Sequence, residues 1–497
     1  MMFLISLNFI LPLIAAISSF IRNDLTKKIA INLAGLLLVI NNIYIWRNYS
    51  GESTSLVLLD ILDGYQLAFT IEPLAIIFAL MVSILYCATN LYSFCYLKAQ
   101  EYSKLSKDLK ANIHFLFMPV AIMASLAIGY SANLITLFIF YEVLTFSTYP
   151  LVIQSLSDRA RRAGRLYITM LFCSSSVFLL FALVFLDKYY NGSSFVSGGI
   201  FNNQTVIKDI LILMICFVFG FSKTAIFPLY KWLPEAMVAP VPVSALLHAV
   251  AVVKSGIFAL IKVFVYLFGI DYLAYVHQIS PWTINWLSLL ACFTIIFATI
   301  KACSQDGLKR ILAYSTINQL SYIILVLSFI SQASVIAAIL QMLAHSIAKI
   351  TLFFSVGIIY VSLHSAKVSE MQGIFRKLPI PVILFILSAL SILGLPFSIG
   401  YLTIGNLYKA IALNNLGIVA IACLFSSSIL SCYYFTKTIF QMLQLPSEEP
   451  IHLYYRRDSC LTLITTATLS LSLLLAFYLN DLIAIISTVF NKKIFTY

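Results

Sequence analysis

The chain has 497 residues, of which 61% are hydrophobic and only 10% are charged, and its mean hydropathy is +0.99. Ordinary soluble domains carry about 25% charged residues, so this composition excludes a soluble enzyme, a disordered chain and a nucleic-acid-binding protein. A hydrocarbon core about 30 Å thick takes about 20 apolar residues per helix, so the repeated apolar runs predict an all-α polytopic membrane protein with about 14 transmembrane helices.

The predicted helices follow one another along nearly the whole chain. They cover residues 2–20, 29–46, 73–95, 112–130, 133–153, 166–186, 210–230, 243–268, 284–301, 309–330, 333–361, 382–408, 414–440 and 461–479. The apolar stretch 482–490 is too short to cross a bilayer. No basic residues precede the first apolar run, so we interpret it as a membrane helix and not as a cleavable signal peptide.

Two of the predicted helices contain a proline that should interrupt them. Pro228 lies in the seventh helix, and Pro396 follows a glycine and a leucine in the twelfth. Proline removes a backbone donor, and interrupted helices at matching positions of two halves are typical of transporters built from repeats. We therefore divide the chain into four parts, namely 1–111, a first five-helix repeat over 112–268, a second over 284–440 and a C-terminal segment over 441–497.

The net charge of +12 reflects membrane topology. Most Lys and Arg residues lie in the odd-numbered loops, including the run 158–165, whereas the even-numbered loops and the tail hold few. By the positive-inside rule, the odd loops face the cytoplasm and both termini lie outside. We expect no nucleic-acid partner for this basic run.

The nine cysteines are scattered, and none forms a CxxC pair. Most lie inside apolar runs, where a thiol behaves as a small hydrophobic side chain. We therefore interpret them as buried packing residues and predict no metal site and no bound cofactor.

Once the residues assigned to loops are set aside, six charged side chains remain in the predicted helices or at their ends: Glu142, Lys223, Lys254, Lys262, Lys349 and Lys409. A charge at the bilayer centre costs about 2.5–3.5 kcal/mol, so the four central ones would together cost roughly 10–14 kcal/mol. That cost is comparable with the whole net stability of a domain, about 5–15 kcal/mol. These four side chains, Glu142, Lys223, Lys254 and Lys349, must therefore face each other, water or a neighbouring helix. Lys262 lies near a helix end, where we expect it to snorkel.

Two histidines accompany the lysines. His345 and Lys349 are four residues apart and share one helix face. His248 precedes Lys254 by six residues, which puts the two about 120° apart on a straight helix. Histidine titrates near pH 7 and a buried lysine can reach that range, so these groups could relay protons. Alternatively, these histidines and lysines only pack and form hydrogen bonds. In the same way, Glu142 could form a fixed salt bridge to a lysine.

Several motifs resemble one known family. They are 219–235 (FGFSKTAIFPLYKWLPE), 239–256 (APVPVSALLHAVAVVKSG), 306–319 (DGLKRILAYSTINQ) and 345–353 (HSIAKITLF), together with Tyr141-Glu142. With these motifs in this order, the chain resembles the D and A subunits of Mrp-type multisubunit cation/proton antiporters, the D subunit most. It is also similar to the antiporter-like subunits of respiratory complex I and of membrane-bound hydrogenases.

The resemblance implies two inverted five-helix repeats with discontinuous helices seven and twelve. It implies that Glu142 and Lys223 form the ion pair of the first half-channel, that Lys254 links the halves, and that Lys349 with His345 serves the second. It further implies a multi-pass protein of the bacterial inner membrane. Its partners would be other membrane subunits, with protons and a monovalent cation as the transported ions.

Two positions depart from the family pattern. Ile404 stands where the family has a lysine or glutamate in helix twelve, and Lys409, five residues later, is the remaining candidate for the exit of the second half-channel. Tyr230 replaces the usual histidine after Pro-Leu in helix seven.

The sequence predicts a proton-translocating subunit of a multisubunit monovalent cation/proton antiporter, in which Glu142, Lys223, His248, Lys254, His345 and Lys349 carry the proton. One alternative is an antiporter-like, redox-driven pumping subunit of an NADH:quinone oxidoreductase or of a membrane-bound hydrogenase. Another is a scaffold subunit that transports nothing. No substrate bond is broken by these residues, so the chain is not expected to be catalytic alone.

Overall fold

The computed structural model describes residues 1–49, 51, 55–62, 65–99, 104–190, 192–202, 205–396, 398–412, 416–445 and 459–490. The N-terminal part consists of α1 (Met2–Ser18), α2 (Asp24–Arg47), strands β1 (Ser55–Leu62) and β2 (Tyr65–Thr70), and α3 (Pro73–Ala99). The two strands pair antiparallel, with Ser55 opposite Thr70 and Leu62 opposite Tyr65. The prediction of an all-α fold is therefore wrong over this hairpin.

The helices of the first predicted repeat are α4 to α11. Their bounds are Lys104–Tyr130 (α4), Leu134–Val152 (α5), Asp158–Ser174 (α6), Leu180–Tyr190 (α7), Ile207–Gly220 (α8), Trp232–Glu235 (α9), Val241–Ala245 (α10) and Val252–Lys262 (α11). Short π-helical segments join α6 to α7 and α10 to α11, so each pair forms one continuous rod. A third π segment extends α11 to Phe268.

The rest of the described chain contains α12 to α20. Their bounds are Ile270–Ile279 (α12), Trp282–Cys303 (α13), Leu308–Leu327 (α14), Gln332–Leu363 (α15), Pro379–Leu393 (α16), Ile399–Ile411 (α17), Gly417–Leu443 (α18), Ser459–Phe477 (α19) and Leu479–Ser487 (α20). The short helix α12 was not predicted.

Eleven helical rods in the described ranges are long and apolar enough to cross a membrane, which makes the chain a multi-pass membrane protein. Three of them lie deepest in the bundle: the rod Val241–Phe268 is buried throughout its most apolar window, and the rods Leu308–Leu327 and Gln332–Leu363 are each buried over 89% of theirs. A helix that is apolar on all sides packs against protein on all sides. The candidate residues His248, Lys254, His345 and Lys349 all lie on the first and the last of these three rods.

Both interruptions expected from the sequence are present. The seventh predicted helix stops at Gly220 and resumes only as the short α9, and the twelfth stops at Leu393 and resumes at Ile399. Gly394 has a left-handed backbone, φ +73°, which ends α16 there. Gly400 lets α17 return close to α16, because a Cβ atom at this position would overlap the Ser391 carbonyl.

The cysteines are only partly as predicted. Cys95 and Cys460 form a disulfide that joins α3 to α19. Cys216 and Cys423 are buried, as expected of packing residues, whereas Cys173 and Cys432 are exposed. The sequence pattern gave no sign of the pairing because the two partners are 365 residues apart.

Candidate functional site

Lys223 lies in the break that follows α8, not within a regular helix. Residues Ser222–Thr224 form a single 3-10 turn, and Ala225 after it has a left-handed backbone, φ +54°. The turn packs on α11 at Gly256, where an added Cβ atom would lie 2.9 Å from backbone atoms of Lys223 and Thr224. A glycine is therefore needed for the close approach that buries Lys223 completely.

The Lys223 ammonium is held by one turn of α5. Its Nζ donates to the Tyr141 carbonyl oxygen at 2.9 Å and to the Thr145 hydroxyl at 2.7 Å, and it lies 3.2 Å from the centroid of the Tyr141 ring. The Lys223 backbone N–H donates to the Tyr141 hydroxyl at 3.1 Å. Neutral oxygens and an aromatic ring thus carry the charge in this conformation.

Glu142 is buried, with 8% of its surface exposed, yet neither carboxylate oxygen has a hydrogen-bond partner in the described part of the chain. No ion pair within 4.0 Å joins it to Lys223 in those ranges, although Lys223 is the positive charge that acts on it. The ion pair implied by the family resemblance is therefore not closed in this structure. Neighbouring side chains on a helix point about 100° apart, and Lys223 has docked on the Tyr141 and Thr145 side of α5.

Lys254 and His345 join the buried rods Val241–Phe268 and Gln332–Leu363. Lys254 Nζ on α11 lies 2.5 Å from His345 Nδ1 on α15, and both side chains are buried. The other ring nitrogen of His345, Nε2, has no partner in the described ranges. A direct hydrogen bond thus connects the first predicted half to the second.

His248 and Lys349 complete this buried cluster. His248 lies in the π segment Leu246–Val250, so the straight-helix estimate of its angle to Lys254 does not apply. Lys349 Nζ donates to the Leu312 carbonyl oxygen at 3.1 Å and not to His345, although the two share a helix face. Lys254 and Lys349 both act electrostatically on His248 and on His345, so the four groups form one coupled set.

A neutral hydrogen-bond chain, which the sequence did not indicate, begins one turn from the cluster and reaches helix twelve. Gln341 lies one turn before His345 on α15; its amide donates to Gln319 Oε1 at 2.7 Å and accepts from the Thr403 hydroxyl at 2.7 Å. All three polar side chains are buried. The sequence signal for this chain is a glutamine in each of two apolar helices, Gln319 and Gln341, and neither is among the predicted site residues.

The two departures from the family pattern lie apart from the cluster. Ile404 packs against the Gly394 turn, because a Cβ atom at Gly394 would lie 2.5 Å from Ile404 Cδ1. Lys409 is exposed, and it has neither hydrogen bond nor ion pair to the residues that the structure describes. Lys409 forms no hydrogen bond with Gln319, Gln341 or Thr403, so no contact among the described residues connects it to this hydrogen-bond chain as an exit for protons. Tyr230 packs its ring on Phe297, with centroids 4.9 Å apart.

Lys262 does not snorkel. It is completely buried, and its Nζ lies 3.2 Å from Glu72 Oε2, 3.0 Å from the Gly129 carbonyl oxygen and 2.6 Å from the Ser131 carbonyl oxygen. The expectation was wrong because Glu72, between the hairpin and α3, supplies a counter-charge at the depth where Lys262 ends.

A polar cavity of about 700 Å³ opens at the opposite end of the bundle. Its lining includes the ion pair Glu235–Arg310 and the side chain of Lys309, whose Nζ donates to the Ala239 carbonyl oxygen at 2.5 Å. Lys309 acts electrostatically on His248, so the cavity adjoins the buried cluster. Lys309 is not among the site residues predicted from the sequence. Nearby, the hydrogen bond from Lys367 lowers the pKa of Glu370 below its usual range.

Comparisons with known proteins agree with this fold. The family described as NADH:quinone oxidoreductase/Mrp antiporter, transmembrane, matches residues 131–431. A putative antiporter subunit mnhA2 of Staphylococcus saprophyticus is 29% identical over 365 residues, which are 70% of this chain and 43% of that protein. The mnhA2 of Staphylococcus aureus is 27% identical over 415 residues, or 79% of this chain and 50% of the relative. The chain thus spans about half the length of these curated relatives.

Two solved structures share the fold at 21% sequence identity. One is a chain of the membrane-bound sulfane sulfur reductase, an archaeal respiratory membrane complex, with a TM-score of 0.82 over 98% of this chain and 96% of that one. The other belongs to the Mrp complex from Dietzia sp. DQ12-45-1b, with a TM-score of 0.80 over 99% of this chain and 54% of that one.

The family match covers more than half of the chain and includes the Lys223 break and the Lys254–His345 contact. This chain therefore belongs to the NADH:quinone oxidoreductase/Mrp antiporter transmembrane family.

Proposed function

We propose that this chain is a proton-translocating, D-type subunit of a multisubunit monovalent cation/proton antiporter in a bacterial inner membrane. In this proposal it has about 14 transmembrane helices, with inverted repeats over 112–268 and 284–440 between the end segments 1–111 and 441–497, and both termini outside. The observation that carries the proposal is the direct contact between Lys254 and His345, which links two buried sets of proton-carrying groups.

The first step uses Lys223 as a switch beside Glu142. When the two are paired, the opposite charges hold the proton on the lysine. When Lys223 docks on Tyr141 and Thr145, as here, the ammonium is buried without an opposite charge in contact. Burial of such a charge is costly, so docking favours release of the proton toward Lys254.

The second step moves the proton across the interface between the repeats. The Lys223 turn rests on Gly256, two residues from Lys254 on the same helix, so motion of the turn is transmitted to α11. Lys254 then passes the proton to His345 Nδ1, and the free Nε2 releases it on the other side of the ring. Two distinct ring nitrogens make histidine suited to this relay.

Two routes lead away from His345. Lys349 is coupled to it electrostatically, and through His248 the cluster reaches Lys309 and the polar cavity. The other route follows Gln341 and Thr403 to the break in helix twelve, where the family's charged residue is replaced by Ile404. Hydroxyl and amide groups can order water there, whereas Ile404 cannot.

Replacing Lys223 by alanine tests the proposal. Inside-out vesicles containing the tagged complex are acidified, and the collapse of the pH gradient on addition of Na⁺ or K⁺ is followed by a fluorescent amine. We expect Lys223→Ala to abolish the collapse while the complex still assembles, and the exposed Lys409→Ala to behave as wild type. Cation-driven collapse at the wild-type rate in Lys223→Ala would overturn the scheme.

A redox-driven pump is the second candidate, because the chain covers 96% of a subunit of an archaeal respiratory complex. Mass spectrometry of the subunits that co-purify with the tagged chain separates the two. Small hydrophobic subunits alone support the antiporter, and flavin or iron–sulfur subunits support the pump. A scaffold that transports nothing would have no use for the Lys223, Lys254 and Lys349 charges, whose burial is costly.

A further inference from the structure

The ammonium of Lys262 sits in a cage of oxygen atoms away from the proposed proton path. The carboxylate of Glu72 and the carbonyl oxygens of Gly129 and Ser131 lie 2.6–3.2 Å from Lys262 Nζ. The Thr70 hydroxyl donates to the other carboxylate oxygen of Glu72 at 3.2 Å, which fixes the orientation of the carboxylate. Lys262 is completely buried, so these oxygens, and not bulk water, solvate its charge.

The position of these oxygens suits a cation for a general reason. Gly129 and Ser131 lie at the C-terminal end of α4, where the last carbonyl groups have no partner within the helix. This end of a helix carries partial negative charge. Carbonyl and carboxylate oxygens are also the ligands that replace the hydration shell of alkali cations in membrane proteins.

We propose that this cage is a binding site for a dehydrated monovalent alkali cation, and that the Lys262 ammonium occupies it in this structure. The inference rests on the proposed antiport function and assigns the site of its cation. When Lys262 loses its proton, the neutral amine leaves the cage and one Na⁺ or K⁺ takes its place beside Glu72. One proton is released for each cation bound, so the net charge of the site is unchanged.

Tyr266 provides access to the cage. Its hydroxyl is buried without a hydrogen-bond partner in the described ranges, and it interacts electrostatically with Glu72. The same tyrosine lines a cavity of about 200 Å³ together with Asp271 and Gln332. A cation entering this cavity would meet the Asp271 carboxylate and Tyr266, whose hydroxyl interacts electrostatically with Glu72 of the cage.

The cage is placed to couple with the proton path. Lys262 and Lys254 lie on the same helix, α11, about 12 Å apart along its axis. Glu72 is the charged group that acts on Lys262, and the phenols of Tyr49 and Tyr266 are the further titratable groups that face Glu72. Movement of the Lys262 side chain out of the cage therefore takes place on the same helix that carries Lys254, while the net charge of the cage stays the same.

Binding of ²²Na⁺ and of ⁸⁶Rb⁺, as a K⁺ substitute, to the purified complex at pH 6.5 and pH 9 tests the inference. In the wild type we expect tighter binding at pH 9, because the ammonium no longer competes. Glu72→Gln should raise the half-saturating cation concentration at least tenfold at pH 9. Lys262→Met should bind equally well at both pH values. Asp209→Asn is the matched control, because Asp209 is also a hydrogen-bonded carboxylate but lies outside the cage.

A merely structural ion pair would behave differently. Both single variants would then lower the yield or melting temperature without changing cation affinity, which overturns the inference, as does a wild type that binds no cation at either pH. If a single variant fails to assemble, the double variant Glu72→Gln/Lys262→Met leaves no unpaired charge and should assemble without binding cation. Wild-type affinity in that double variant would also overturn the inference.

Transport measured on the same preparations separates this inference from the proposed function. Glu72-dependent cation binding without cation-driven proton movement would support the cation site and refute the antiport function. Antiport with the same half-saturating cation concentration in Glu72→Gln and wild type would support the antiport function and refute the cation site.

Discussion

Replacing His345 by alanine removes the side chain that contacts the Lys254 ammonium across the interface of the two predicted repeats. The imidazole Nδ1 lies 2.5 Å from Lys254 Nζ. Among the described residues, this nitrogen is the hydrogen-bond partner of the Lys254 ammonium. Both side chains are buried, so water replaces the lost contact only by entering the core. We expect His345→Ala to slow proton transfer between the two halves.

The size of the effect follows from this one contact. A hydrogen bond to a charged group contributes about 1.5–3 kcal/mol. Since 1.36 kcal/mol corresponds to a factor of ten, loss of this bond should disfavour the arrangement that passes the proton between the halves about 10- to 150-fold. Transport limited by this step should fall by the same factor. His345→Gln restores an acceptor oxygen but no proton carrier, so it should recover only part of the loss.

The assay is the rate of cation-driven collapse of the pH gradient in inside-out vesicles, normalised to the amount of assembled chain. His114→Ala is the matched control, because it too removes a buried imidazole. His114 lies on α4, outside the cluster, and its ring nitrogens have no hydrogen-bond partner in the described ranges. The control should transport at the wild-type rate. Wild-type transport by His345→Ala would refute the relay, and full recovery with His345→Gln would reduce His345 to an acceptor that only positions Lys254.

Three further predictions concern the Lys223 turn, the hydrogen bonds of Gln341 and the exposed Lys409. Gly256→Ala puts a Cβ atom 2.9 Å from the backbone of Lys223; overpacking costs about 1–3 kcal/mol, so we expect a lower melting temperature and reduced transport, measured on the purified complex and in vesicles. Gln341→Leu leaves the buried Gln319 amide oxygen unsatisfied at about 1–3 kcal/mol, although the Thr403 hydroxyl keeps its bond to the Gly400 carbonyl oxygen; transport should fall tenfold or more, whereas normal vesicle transport would exclude this route. Lys409→Ala removes an exposed side chain, and transport within about twofold of wild type is expected by the same assay.

The course of the chain through the membrane was largely predictable. Each predicted segment overlaps a helix of the structure, because a run of about 20 apolar residues leaves the backbone few other ways to satisfy its hydrogen bonds in lipid. The ends were predicted less accurately: α4 and α6 begin eight residues before the predicted starts, and α8 ends ten residues before the predicted end. The breaks near Pro228 and Gly394 were also predicted, since proline and glycine act locally. The hairpin of β1 and β2 was missed because its residues are apolar but belong to neither a long run nor a strict alternation.

The candidate site was predictable as a set of residues but not as a set of contacts. A lysine in an apolar helix stands out whatever its neighbours are, so Lys223, Lys254 and Lys349 could be selected from the sequence. Glu72 lies at a helix start, where a carboxylate is ordinary. Its pairing with Lys262 depends on how deeply that helix start is buried, which the sequence does not record.

The sequence by itself determined that this is a membrane protein of many helices, two of them broken, with buried charges that must find partners. These properties follow from hydrophobicity and from local backbone chemistry. Only the tertiary structure decided that Lys223 docks on Tyr141 and Thr145 instead of Glu142, and that Lys254 meets His345. The reason is physical: a buried charge requires compensation, but many oxygen and nitrogen atoms can provide it, and packing alone determines which lie within about 3 Å.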